Sequence, residues 1–144
     1  MEPKDLRHVR LCAAGNLRRT SRALTQLYDE LLQPSGLRVT QFSLLVNIGR
    51  EEQATIGRLA ELLIMDRTTL TRNLRVLEKD GLIATVDDGD KRTHAVRLTA
   101  KGERALVKAL PLWEQAQTRI VSGVGEEKFR GLLKDLSALA ELAR

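Results

Sequence analysis

A mainly α-helical fold with one small β-hairpin, held between long first and last helices, is what this sequence predicts. Three observations carry that expectation. Apolar residues recur at three- and four-residue steps through both ends of the chain, the period of a helix face. Midway, Leu82–Val86 and His94–Leu98 are short β-prone runs around a polar stretch containing Asp-Gly, the composition of a hairpin. The length of 144 residues, 42% of them hydrophobic, suffices for one core and not for two, so residues 1–144 are expected as a single domain.

The first helix is expected from about Asp5 to Leu32, with Leu6, Val9, Ala13, Leu17, Leu24, Leu27 and Leu31 along one face and Arg18, Arg19 and Arg22 between them. Gln33-Pro34-Ser35-Gly36 stops it, because proline removes a donor and glycine tolerates the turn. Thr40 reads as the N-cap of a second helix, Gln41 to about Arg50, carrying Phe42, Leu45, Val46 and Ile48 inward. Glu51–Ala54 is a short polar break. Thr55 caps a third helix, Ile56 to about Ile64, whose buried stripe is Ile56, Leu59, Ala60 and Leu63. After a tight turn, Asp66 caps a fourth, Arg67 to Lys79, closed by Asp80-Gly81. Two short helices joined so tightly form a helix-turn-helix pattern, with Ile64-Met65 where a turn glycine is usual.

Beyond the hairpin, Thr99 caps a fifth helix, with Glu103 close to the capping-box position and a bend expected at Pro111. That helix carries Ala105, Leu106, Ala109, Leu112, Trp113 and Ile120. Gly123 and Gly125 are expected to interrupt it. A last helix then runs from Glu126 to Leu142, striped by Phe129, Leu132, Leu133, Leu136, Leu139 and Leu142. Residues 5–33 and 105–144 thus present apolar faces separated by the whole middle unit, 40–104, which has a small core of its own. A two-fold homodimer would cover those faces.

Net charge is +5, from 24 Lys and Arg against 19 Asp and Glu, which suits an anionic partner. Position matters more than the total. On the fourth helix Arg67, Arg72, Arg75 and Lys79 stand against Glu78 alone. At 100° per residue, Leu70, Leu74 and Leu77 fall on one side, and Thr68, Arg72, Arg75 and Lys79 on the other. Thr69 and Val76 flank one edge of that outward side, and Thr71 the other. Such a helix can lie in the major groove of double-stranded DNA, where arginine pairs with guanine and threonine offers a hydroxyl and a methyl. In the hairpin tip, Asp90 is expected to fix the turn and hold Arg92 extended into the minor groove beside Lys91. Aromatics at 3% argue against stacking platforms for single strands.

Other classes find little support. His8 and His94 have no partner pattern, no phosphate-loop motif occurs, and Cys12 alone gives neither a disulfide nor metal-ligand spacing. No enzyme activity, metal or cofactor is expected. No apolar run approaches the roughly 20 residues of a membrane span, and Met1–Asp5 lacks the plan of a signal peptide. The expectation is a cytoplasmic protein with no membrane partner. An adaptor that uses the same module to bind proteins rather than DNA is the alternative.

The residues Asp90-Lys91-Arg92-Thr93-His94-Ala95-Val96-Arg97-Leu98-Thr99 match the D-x-R-x-x-x-x-x-L-T wing signature. Together with Asp66–Leu74 and Leu77–Ile83, they make this chain resemble the multiple-antibiotic-resistance regulator (MarR) family over nearly its whole length. That resemblance implies a winged helix-turn-helix repressor, homodimeric through its terminal helices, on a near-palindromic operator. It also implies release by a small anionic aromatic effector or, in some branches, an oxidant. Arg18, Arg19, Arg22, Tyr28, Phe42 and Trp113 are the residues available for such an effector. Cys12, close to Val9 and Ala13, is expected as a small buried hydrophobe. The hydroperoxide-sensing branch carries a cysteine in this helix, which would make Cys12 a redox sensor. That branch supplies tyrosines to its cysteine, whereas here Asn16 stands one turn on and the only tyrosine is Tyr28.

Overall fold

The computed structural model describes residues 3–86 and 94–144. A 3-10 helix, Pro3–Leu11, is followed by α1 (Ala13–Leu32), α2 (Val39–Arg50), strand β1 (Ala54–Thr55), α3 (Ile56–Leu63) and α4 (Arg67–Lys79). Strands β2 (Ile83–Val86) and β3 (Ala95–Leu98) come next, then α5 (Ala100–Val124) and α6 (Glu126–Ala143). The three strands form one antiparallel sheet in the order β1–β3–β2, with Ile83 opposite Leu98 and Ala54 opposite Val96. The expected class, mainly helical with a small hairpin sheet, is what folds. Asp90, Lys91 and Arg92 lie outside the described residues.

Helix starts follow side-chain chemistry. Thr55 Oγ1 accepts the Arg58 N–H at 3.1 Å, Asp66 Oδ1 accepts that of Thr69 at 2.8 Å, and Thr99 Oγ1 accepts that of Gly102 at 3.1 Å. Helix α2 begins earlier than expected. Thr40 lies within it, and Asp29 on α1 accepts the Val39 N–H at 2.8 Å while Gln41 accepts that of Arg38 at 3.1 Å. A cap contributed by another helix leaves no local pattern.

The first helix is not continuous. Cys12 is extended, with φ −62° and ψ 118°, and separates the 3-10 helix from α1. Asn16 holds this corner by donating from Nδ2 to the carbonyls of Arg10 and Cys12, each at 2.9 Å. Cys12 is correspondingly exposed, not buried among Val9 and Ala13 as its helical position suggested. Ala54, the end of the expected polar break, and Thr55, the expected N-cap, also form strand β1, because β3 supplies its ladder. Gly123 does not interrupt α5, which runs through both Pro111 and Gly123 and stops at Gly125, where φ is 98°.

Leucines and isoleucine from α1 to β2 meet in one core that includes Leu32, Leu45, Ile48, Leu59, Leu70 and Leu77. Burying each such side chain contributes roughly 1.5–3 kcal/mol. Two helices contribute little or nothing to it. No residue of α6 is buried, and in α1 only Leu32 is. Leu17 and Leu24 on α1 and Leu132, Leu133, Leu139 and Leu142 on α6 remain exposed, Leu142 at 83%.

Candidate nucleic-acid interface

Helices α3 and α4 pack as a tight helical pair whose turn closes through the Met65 N–H donated to the Ala60 carbonyl at 3.0 Å. Ile64 occupies the left-handed position there at φ 48°. For a β-branched residue that conformation costs about 1–3 kcal/mol, so the flanking helices must hold it in place.

On α4 the leucine face is buried as expected: Leu70, Leu74 and Leu77 enter the core. Thr68, Arg72, Arg75 and Lys79 are exposed, and Thr71 is half-buried. Among the ion pairs formed by described residues, none includes Arg72 or Arg75. Two first-turn residues have intramolecular roles. Thr69 donates its hydroxyl to Asp66 Oδ2 at 2.7 Å, and this bond, with the Thr69 N–H, holds the Asp66 carboxyl below the usual carboxylate range. Arg67 folds back over α3, since a Cβ added at Gly57 would stand 3.2 Å from its Nη2. Strand β2 is tied to α4 by a side-chain bond. Thr85 on β2 donates to Glu78 Oε1 at 3.1 Å.

Beside α4 runs a groove of about 320 Å3, lined by Arg38, Thr40 and Leu44 of the α2 region and by Asn73 and Val76 of α4. Sequence reading missed this wall. Arg38 and Thr40 lie more than thirty residues from Asn73 along the chain, so only the fold brings them together. Val76 stands at the edge of the outward face as its wheel position predicts, whereas Asn73 falls on the wheel between Thr69 and the leucine face and is nevertheless exposed.

The residues expected for an effector fall in two places: Tyr28 and Trp113 pack against the core that holds Phe42, while Arg18 and Arg22 stand on the exposed part of α1. Phe42 is buried and stacks on Trp113 with ring centroids 5.9 Å apart and planes at 22°. Tyr28 donates its phenol to Gln117 Oε1 at 2.6 Å, and burial pushes that phenol up from its ordinary value. Arg18 and Arg22 stand exposed on α1, about 15 and 9 Å along the axis from Tyr28 at 1.5 Å per residue. Among the described residues no three of His, Cys, Asp and Glu gather as metal ligands, and no helix is long and apolar enough to cross a membrane.

Comparisons with known proteins agree with this geometry. Residues 35–93 match the model described as MarR family. An HTH-type transcriptional regulator of Bacillus cereus is 33% identical over 111 residues, 77% of this chain and 74% of that one. The crystal structure of the Mycobacterium tuberculosis transcriptional regulator MosR in complex with DNA superposes with a TM-score of 0.82 at 42% identity. The match covers 92% of this chain and 98% of MosR. The transcriptional repressor CouR bound to a 23-mer DNA duplex gives 0.79 at 25% identity, covering 96% and 97%.

Proposed function

The chain belongs to the MarR family of DNA-binding transcription regulators, and from that premise we propose that it is a homodimeric repressor of a near-palindromic operator, acting in the cytoplasm without catalysis. The observation that carries this reading is the two-sided α4. Its leucines are locked in the core, while Arg72 and Arg75, in no ion pair among the described residues, stand outward with Thr68. In the reading unit, 40–104, Arg72, Arg75, Thr68 and Thr71 read base edges in the major groove. Arg67 and Thr69 shape the first turn. Arg92, with Lys91 beside it and Asp90 fixing the tip, enters the minor groove. Segments 5–33 and 105–144 form the dimer, whose two recognition helices then lie about one DNA turn apart. The DNA complexes of MosR and CouR support the partner, and CouR, a transcriptional repressor, supports repression.

Selection of bound duplexes from a random pool tests the reading. A palindrome should emerge, with affinity falling steeply as salt rises, because each neutralised phosphate adds about −0.9 to the log–log slope. A shallow slope with no preferred duplex would instead favour a protein-binding adaptor.

Release of the operator is proposed to follow an effector. A small anionic aromatic would take Arg18, Arg22 and Tyr28, alongside Phe42 and Trp113, only if the second subunit completes the cavity. The oxidant alternative draws on one specific observation: Cys12 is exposed at the N-cap of α1, where a peroxide can reach its thiol. An organic hydroperoxide should release operator from the native protein and not from Cys12→Ser. Equal responses in a gel-shift titration reject the sensor.

A further inference from the structure

The end of α4 and the start of α5 share one hydroxyl. Helix α4 closes in a Schellman turn. Gly81 takes φ 74°, its N–H donates to the Glu78 carbonyl at 2.9 Å, and the Leu82 N–H donates to that of Leu77 at 2.9 Å. The carbonyls of Asp80, Gly81 and Leu82, consecutive along the chain, are then all met by the beginning of α5. Lys101 Nζ donates to Asp80 at 2.7 Å, Thr99 Oγ1 to Gly81 at 2.6 Å and the Thr99 N–H to Leu82 at 3.1 Å.

The Thr99 hydroxyl also accepts the Gly102 N–H at 3.1 Å, as the N-cap of α5. It therefore donates to the turn that ends one helix while accepting from the turn that starts the next, which leaves its rotor no freedom. Gly102 is buried, and a Cβ there would run into the Leu82 carbonyl oxygen. Backbone meets backbone at this joint, with no flexible side chain between to absorb a tilt. Capping α5 would require only the bond to Gly102. The second bond, to Gly81, ties the cap to α4.

We propose that Thr99, backed by Gly102, is a positioning residue for DNA reading. It touches no base. It sets the orientation of α4 against α5, and through α5 the separation of the two recognition helices across the dimer. The separation part rests on the dimeric reading above; the orientation part belongs to the single chain.

Thr99→Val removes both hydroxyl bonds and keeps the shape, whereas Thr99→Ser keeps both bonds. In a Cys12→Ser background, nitroxides placed through Arg72→Cys on α4 and Lys108→Cys on α5 report the intrachain distance, with labelled protein diluted in an excess of unlabelled. Thr99→Val should broaden that distribution clearly, and Thr99→Ser should restore it. Lys101→Met, a milder surface change that removes only the Asp80 contact, should broaden it in the same direction. Unlabelled protein with its native Arg72 is then titrated on palindromes whose half-sites differ by one base pair in separation. The wild type should prefer its own spacing by roughly tenfold, the scale of a mismatch in a specific site, and Thr99→Val should lose most of that preference. Partial unfolding lowers every affinity by one factor and leaves the ratio intact, so a merely structural role does not reproduce this loss.

Unchanged distance distributions in Lys101→Met and in folded Thr99→Val overturn the joint. If Thr99→Val does not fold, Lys101→Met decides alone. A wild type indifferent to spacing overturns the dimeric reading instead, and the distance measurement still decides the joint.

Discussion

Replacing Arg72 and Arg75 together by alanine should abolish specific operator recognition while leaving a folded dimer. Each base-specific arginine contributes about 1–3 kcal/mol, so the pair should lower affinity by roughly a hundredfold or more. Neither guanidinium takes part in an ion pair among the described residues, and both are exposed. Surface substitutions of this kind usually shift stability within about 0.5 kcal/mol, so thermal unfolding should coincide with wild type. Fluorescence anisotropy on the selected operator measures the loss. Residual binding to unrelated duplex should survive, carried by phosphate contacts, and specificity should vanish first. An affinity for operator that stays within threefold of wild type would reject α4 as the reader.

The second large effect concerns assembly. Leu132→Glu combined with Leu139→Glu should convert the dimer to monomer. These leucines lie seven residues apart on one side of α6, a helix with no buried residue in the isolated chain, and both are exposed there. Covering them with a second subunit gains the burial energy of two leucines, and introducing two carboxylates at such a contact reverses the sign, since unpaired buried charge is strongly disfavoured. Sedimentation at micromolar concentration reads the outcome. Operator affinity should collapse along with the dimer, because a monomer engages a single half-site. A double variant that sediments as a dimer would place the interface elsewhere.

Both predictions start from patterns legible in the sequence. Asp66 and Thr99 announce helix starts because a short side-chain acceptor satisfies an N–H three residues on, and both caps form as expected. The leucine period of α4 announces its buried face. The broken first helix was not legible. Leu6, Val9 and Ala13 keep helical spacing across Cys12, yet the chain turns there, held by an asparagine bonded to carbonyls that any residue could have supplied. Nor does the wheel position of Thr69, at the edge of the outward side, announce that its hydroxyl is donated to Asp66.

Side-chain periodicity and capping chemistry act over three to five residues, and so the identity, order and inner face of most helices were settled by the residues themselves. Pairings between distant segments were settled only by folding. Arg38 beside Asn73, β1 on β3, and the Thr99 hydroxyl between two helix ends depend largely on backbone carbonyls or on chain paths many residues apart. A carbonyl is the same at every residue, so its partner leaves no mark in the one-dimensional pattern.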